Sequence, residues 1–181
     1  MKTSGLIPIC STTLLLLAVA IGCSAEPASL IVGPSEPRVR TSLQDAGLAE
    51  IADLLADMTN ELRKERGIAP LETHPGLSEA ARRHSAEMAR YGYLDDRTLD
   101  GATLRERVPT DFRMSVVAEN LFGDARPELD SLTSAKRIFE GWMASDEDRA
   151  NIEATEAAYF GVAVAVAGDE LRAVQIVASA P

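Results

Sequence analysis

The chain has 181 residues and a formal net charge of −10. That length gives one domain, two at most, with enough interior to fold by burial, and the acidity argues against a phosphate backbone as partner, so no nucleic-acid role is expected. Aromatic residues make up only 4%, which leaves Ala, Val, Leu and Ile to fill the core.

Residues 1–22 read as an export signal. Lys2 supplies the positive start, and "LLLLAVAIG" (14–22) is an apolar stretch too short to span a bilayer comfortably. The signal ends in "AIGC" (20–23), which resembles the lipobox of bacterial lipoproteins. The resemblance implies that Cys23 is diacylated and becomes the mature N-terminus, although Ala20 stands where Leu is usual. Cleavage after Ala25, releasing a soluble secreted protein, is the rival reading. Cys10 lies inside the signal and no Cys follows Cys23, so disulfides contribute nothing. Residues 23–45 are read as the lipid-anchored N-terminus and a flexible tether; 24–42 hold three Pro and one Gly without a period, and only "SLIV" could dock as a strand.

The domain proper is placed at 46–181. Leu48, Ile51, Leu55, Met58 and Leu62 fall at helical spacing, with Gly67 and Pro70 ending that helix. A second helix over 77–91 shows Leu77, Ala81, His84, Met88 and Tyr91 on one face, and Gly92 closes it. The loop "DDRTLDGAT" leads to a short turn of helix near 104–108. An apolar run at 116–118 and "ENLFGD" follow, then a third helix over 131–144 with Ala135, Ile138, Phe139 and Trp142 together. Ser145 can cap a further short helix that begins Asp146, Glu147, Asp148. The chain finishes with two β-branched runs around "AGDE", an antiparallel hairpin. Helices first and strands last predict an α+β fold.

Six stretches, "MTNELRKERGIAPLE", "LSEAARRHSAEMARYGYL", "DGATLRERV", "AENLFGD", "WMASDEDRANI" and "FGVAVA", resemble in order and spacing the CAP superfamily of cysteine-rich secretory, antigen-5 and pathogenesis-related proteins. The likeness is to its short, cysteine-free bacterial branch and covers about residues 47–178. It implies a single-domain α-β-α sandwich around a small antiparallel sheet. It also implies a cleft. Two positions where the family usually carries His are Asp96 and Asp148 here, the family Glu is retained as Glu119, and a further acid position falls at Tyr159.

Each of these residues also has a local explanation. Asp148 suits the first turn of the capped helix, where acids favour the positive end of the dipole. Asp96 sits in an Asp-rich turn. Tyr159 can line the cleft or pack in the core. His84 reads as a core side chain, His74 as a solvated loop residue, and Trp142 as packing. No Cys or His is placed to activate a nucleophile, so no catalytic residue, cofactor or metal is assigned. The expectation is a monomeric, non-catalytic lipoprotein of the cell envelope, held to the membrane by its lipid and taking a lipid, peptide or envelope component in the cleft. The alternative is a hydrolase built on Asp96, Glu119 and Asp148, with or without a divalent cation.

Overall fold

The computed structural model describes residues 42–114, 117–125 and 130–180. The signal segment, Cys23 and the tether up to residue 41 lie outside the described residues. Three long helices and two short ones surround a four-stranded sheet: α1 Ser42–Glu65, β1 Glu72–Thr73, α2 Pro75–Tyr91, α3 Leu104–Arg107, β2 Val117–Asp124, α4 Ser131–Ala144, α5 Asp146–Ile152, β3 Ala157–Ala167 and β4 Glu170–Ser179. A 3₁₀ turn at Phe112–Met114 precedes β2. Helix α1 begins inside the stretch read as tether, so residues 42–45 are helical.

The strand order is β1-β3-β4-β2. The β3–β4 hairpin closes through Gly168 and Asp169, with Gly168 at φ 60°, the left-handed backbone that a two-residue hairpin turn demands. β2 pairs antiparallel with β4, setting Glu119 opposite Ile176 and Asn120 opposite Gln175. The predicted antiparallel sheet therefore holds for the three principal strands. The addition is β1, a two-residue parallel edge that places Glu72 beside Tyr159. Its residues are exposed and show no alternation, so nothing in its own sequence marks it as a strand.

Period-two alternation sorts the side chains into two layers. On one face, Leu77, Ala81 and Met88 of α2 pack with Phe112 against Val174, Ile176 and Ala178 of β4. On the other, Ile51 and Leu55 of α1 and Ile138 and Trp142 of α4 pack against Val164, Leu171 and Ala173. β4 is covered on both faces, which is why its sequence is nearly continuous in apolar residues. Trp142 is fully buried, in keeping with a packing role.

His74 corrects the sequence reading. It is half-buried and caps α2, its Nδ1 accepting from the Gly76 amide at 3.2 Å. Its ring meets Phe112 and Tyr159 edge-on, at centroid distances of 4.7 and 5.9 Å. Pro75 supplies the fixed φ of the first helical position, and Gly92 closes the helix in the left-handed region at φ 69°.

Candidate functional site

On the α2 side of the sheet, polar side chains gather where the 93–102 loop and α3 meet β2. Helix α3 has only four residues and is held at its start by Thr103, whose amide and hydroxyl both donate to Glu106 Oε2 at 2.8 Å. This fixes Arg107 over β2. Its Nη1 and Nη2 donate to the two carboxylate oxygens of Glu119 at 2.9 and 2.7 Å. Nη2 also donates to the Asp96 backbone carbonyl at 2.9 Å. The side chains of Arg107 and Glu119 are 9% and 4% exposed, so this bidentate pair is buried.

His84 lies beneath the same loop. Its Nε2 is 2.9 Å from the Asp95 carbonyl. A carbonyl can only accept, so Nε2 carries the proton and Nδ1 presents a lone pair when the ring is neutral. Burial, and then the Arg107 charge, push the His84 pKa down, which keeps the ring neutral. His84 Nδ1 and Arg107 Nε are both buried without a hydrogen-bond partner. Beside them, Glu87 accepts from the Tyr93 hydroxyl at 3.0 Å and from the Leu99 amide at 3.3 Å. Burial and this carboxylate push the Tyr93 hydroxyl pKa up, so Tyr93 stays a donor.

The loop is self-organised. Asp95 Oδ1 accepts from the Arg97 amide at 2.9 Å, which holds its carboxyl below the ordinary range, aided by the neighbouring Asp96. The Thr98 hydroxyl donates to Asp100 and accepts from the Ala102 amide. Between loop and helices opens a pocket of about 370 Å³, lined by Arg83, His84, Glu87, Asp100, Glu106 and Arg107 among others. A wider groove of about 690 Å³ runs along α1 past Met58, Lys64 and Ile68. Neither lining includes Asp96, Glu119, Asp148 or Tyr159, the cleft residues expected from the sequence.

The sequence-predicted residues are thus divided. Glu119 and the backbone of Asp96 meet at Arg107, while the exposed Asp96 residue carries its carboxylate outside that buried pair. Asp148 belongs elsewhere. Asn120 follows Glu119 on β2, so its side chain leaves the opposite face. There Asn120 Nδ2 donates to the Asp148 carbonyl at 3.1 Å and to Gln175 Oε1 at 3.0 Å. Asn151 Nδ2 donates to Asn120 Oδ1 at 2.9 Å, and Gln175 Nε2 to the Thr59 hydroxyl at 2.9 Å. Asp148 sits in the first turn of α5, its amide donating to the Ser145 hydroxyl at 3.2 Å, and burial pushes its carboxyl pKa up. Tyr159 packs with His74 and Phe112. The Glu119 carboxylate and the Asp148 backbone are thus held by successive residues of β2 that leave opposite faces of the strand, Glu119 itself at Arg107 and Asn120 at the Asp148 carbonyl. Among the described residues no group of three or more His, Cys, Asp or Glu is disposed to hold a metal ion.

Sequence reasoning misses Arg107, Glu87 and Tyr93. Arg107 sits in "LRER", which has the alternation of a solvated turn of helix. The available signal is Glu119 itself, since a carboxylate in an apolar strand needs a cation from somewhere.

Comparison with known proteins bears on this arrangement. The model of the CAP family, cysteine-rich secretory proteins, matches residues 56–177. The fold resembles an outer surface protein from Borrelia burgdorferi, with a TM-score of 0.62 at 17% identity, covering 73% of this chain and 94% of that one. It also resembles an extracellular SCP-domain protein from Bacillus anthracis, with a TM-score of 0.57 at 21% identity over 75% of this chain and 41% of that one. A third likeness is to NaASP2 with Zn²⁺, with a TM-score of 0.53 at 12% identity over 74% of this chain and 82% of that one. No curated protein sequence matches significantly.

Proposed function

The chain belongs to the CAP family of cysteine-rich secretory proteins, and from that membership we propose an exported, lipid-anchored, non-catalytic binding module of the bacterial cell envelope. The fold hosts unrelated activities, so the site must carry the argument. The observation behind the reading is the 370 Å³ pocket, which offers both charge signs without an activated nucleophile. The Thr98 hydroxyl is committed within its own turn, and both oxygens of Glu119 are occupied by Arg107. Charged walls favour a polar ligand, a peptide or another hydrophilic envelope component, over a hydrocarbon tail.

NaASP2 is known with Zn²⁺, but a zinc role does not suit the residues of this chain. Zn²⁺ prefers imidazole or thiolate ligands, and this side of the sheet offers one buried imidazole nitrogen beside a carboxylate already engaged by a guanidinium.

Ala102 lines the pocket, and only its backbone is hydrogen-bonded. Ala102→Trp should fill the space without disturbing the core. Native mass spectrometry of the protein recovered from its host envelope should show a bound mass in the wild type and its loss in Ala102→Trp. Equal occupancy in both would place the ligand elsewhere.

The anchor rests on "AIGC" alone. No helix among the described residues is long and apolar enough to cross a membrane, and the lipid on Cys23 is the attachment proposed. Two structural relatives bear names that place them on an outer surface or outside the cell. Cells fed a tagged fatty acid should label the wild type and not Cys23→Ala. An unlabelled wild type that starts at Glu26 in the medium would refute the anchor.

A further inference from the structure

We infer that Arg107 is the resident cation of the cleft, a covalently attached group that balances Glu119 and ties it to position 96, so that the cleft needs no metal ion to assemble. A carboxylate that is 4% exposed cannot remain ionised without a counter-charge or several donors. Among the described residues Arg107 answers both needs of Glu119. The Arg107 fork matches its two oxygens at 2.9 and 2.7 Å, a geometry an ammonium cannot reproduce. The same guanidinium grips the Asp96 carbonyl at 2.9 Å. One positive group therefore brings together a strand acid and a loop that is distant in sequence, as a bound divalent ion would. The charge that Arg107 already places beside His84 and on both oxygens of Glu119 disfavours a second cation in the same space.

The inference rests on the reading of this cleft as the working site, but its test uses zinc alone, so a failed ligand search and a failed metal prediction remain distinguishable. The full-length protein would be titrated with Zn²⁺ by calorimetry, together with Arg107→Ala, Arg107→Lys and the double variant Arg107→Ala/Glu119→Gln. Wild type and Arg107→Lys should show no saturable site, because each retains the cation. Arg107→Ala should gain at least about tenfold in zinc affinity over the double variant, which has lost the carboxylate as well. If Arg107→Ala is unfolded as isolated, added Zn²⁺ should restore its helical circular dichroism while leaving the double variant unchanged. Stoichiometric zinc in the wild type would overturn the inference. So would an Arg107→Ala protein, folded or not, that responds to zinc no more than the double variant does.

Discussion

Gly161→Ala is expected to lower the melting temperature by about 10 °C or more, the consequence of losing about 3 kcal/mol in a domain of this size. Gly161 lies in β3 opposite Ile176, under the first turn of α2. A methyl group there would fall 2.1 Å from the Ser78 nitrogen, 2.2 Å from the Leu77 carbonyl carbon and 2.7 Å from the Leu77 oxygen. These are backbone atoms, with no rotamer to escape into. Helix α2 cannot slide away cheaply either, because the His74 cap and the His74 amide, bonded to the Phe160 carbonyl at 2.8 Å, pin its start to β3. Lifting the helix would pull Leu77 and Ala81 from the core. Gly47 in α1 is the control. Nothing lies within 4 Å of a methyl group added there, so Gly47→Ala should gain about 0.5–1 kcal/mol from helix propensity. Thermal unfolding of both variants decides the matter, and an unchanged midpoint for Gly161→Ala would show that α2 does not rest on β3 this closely.

That close approach shows what the sequence exposes and what it hides. "FGVAVA" places Gly161 in a strand, and strand alternation assigns its face, but the helix pressing on that face belongs to a segment about eighty residues earlier. Local signals perform well where the cause is local. The third predicted helix, 131–144, coincides with α4. The Ser145 cap is formed, and the hairpin turns at Gly168. The cleft is harder. Glu119 and Asn120 are neighbours in the chain yet leave opposite faces of β2, so the position after the cleft acid reaches α5 and takes Asp148 with it. A resemblance that places Asp96 and Asp148 in one cleft cannot show that the partner of Glu119 is instead an arginine from α3. His74 misleads for a related reason: its cap is local, but the two rings that half-bury it come from the 3₁₀ turn and β3.

Arg63 is the sharpest case of a long-range role concealed in a local pattern, and its removal should have the largest effect of all. In "RKERG" it reads as an ordinary basic residue favouring the end of a helix. In the fold it is completely buried. Its Nε donates to the Ala69 carbonyl at 2.8 Å. Nη1 donates to the carbonyls of Ile152 at 2.8 Å and Ala154 at 2.9 Å, and Nη2 to that of Ala157 at 3.3 Å. One side chain thus joins the end of α1 to the loop that leads to β1, the end of α5 and the start of β3. Burial lowers its pKa and Glu156 raises it, but a guanidinium stays charged throughout the physiological range. Arg63→Ala would leave the buried carbonyls of Ile152 and Ala157 without this donor beside a cavity, while the partly buried carbonyl of Ala154 keeps the Ala157 amide. Each unpaired buried group costs about 1–3 kcal/mol before any rescue by water, so a loss of about 4 kcal/mol or more is expected, a large share of the stability of an ordinary domain. Arg63→Lys keeps the charge but not the fork, and should lose about half as much. Arg63→Met fills most of the volume without a donor, and should fall between Lys and Ala. Urea denaturation of the three variants tests that order. Arg63→Ala within about 1 kcal/mol of wild type would mean that water replaces the guanidinium at these carbonyls, and that the three segments hold together without it.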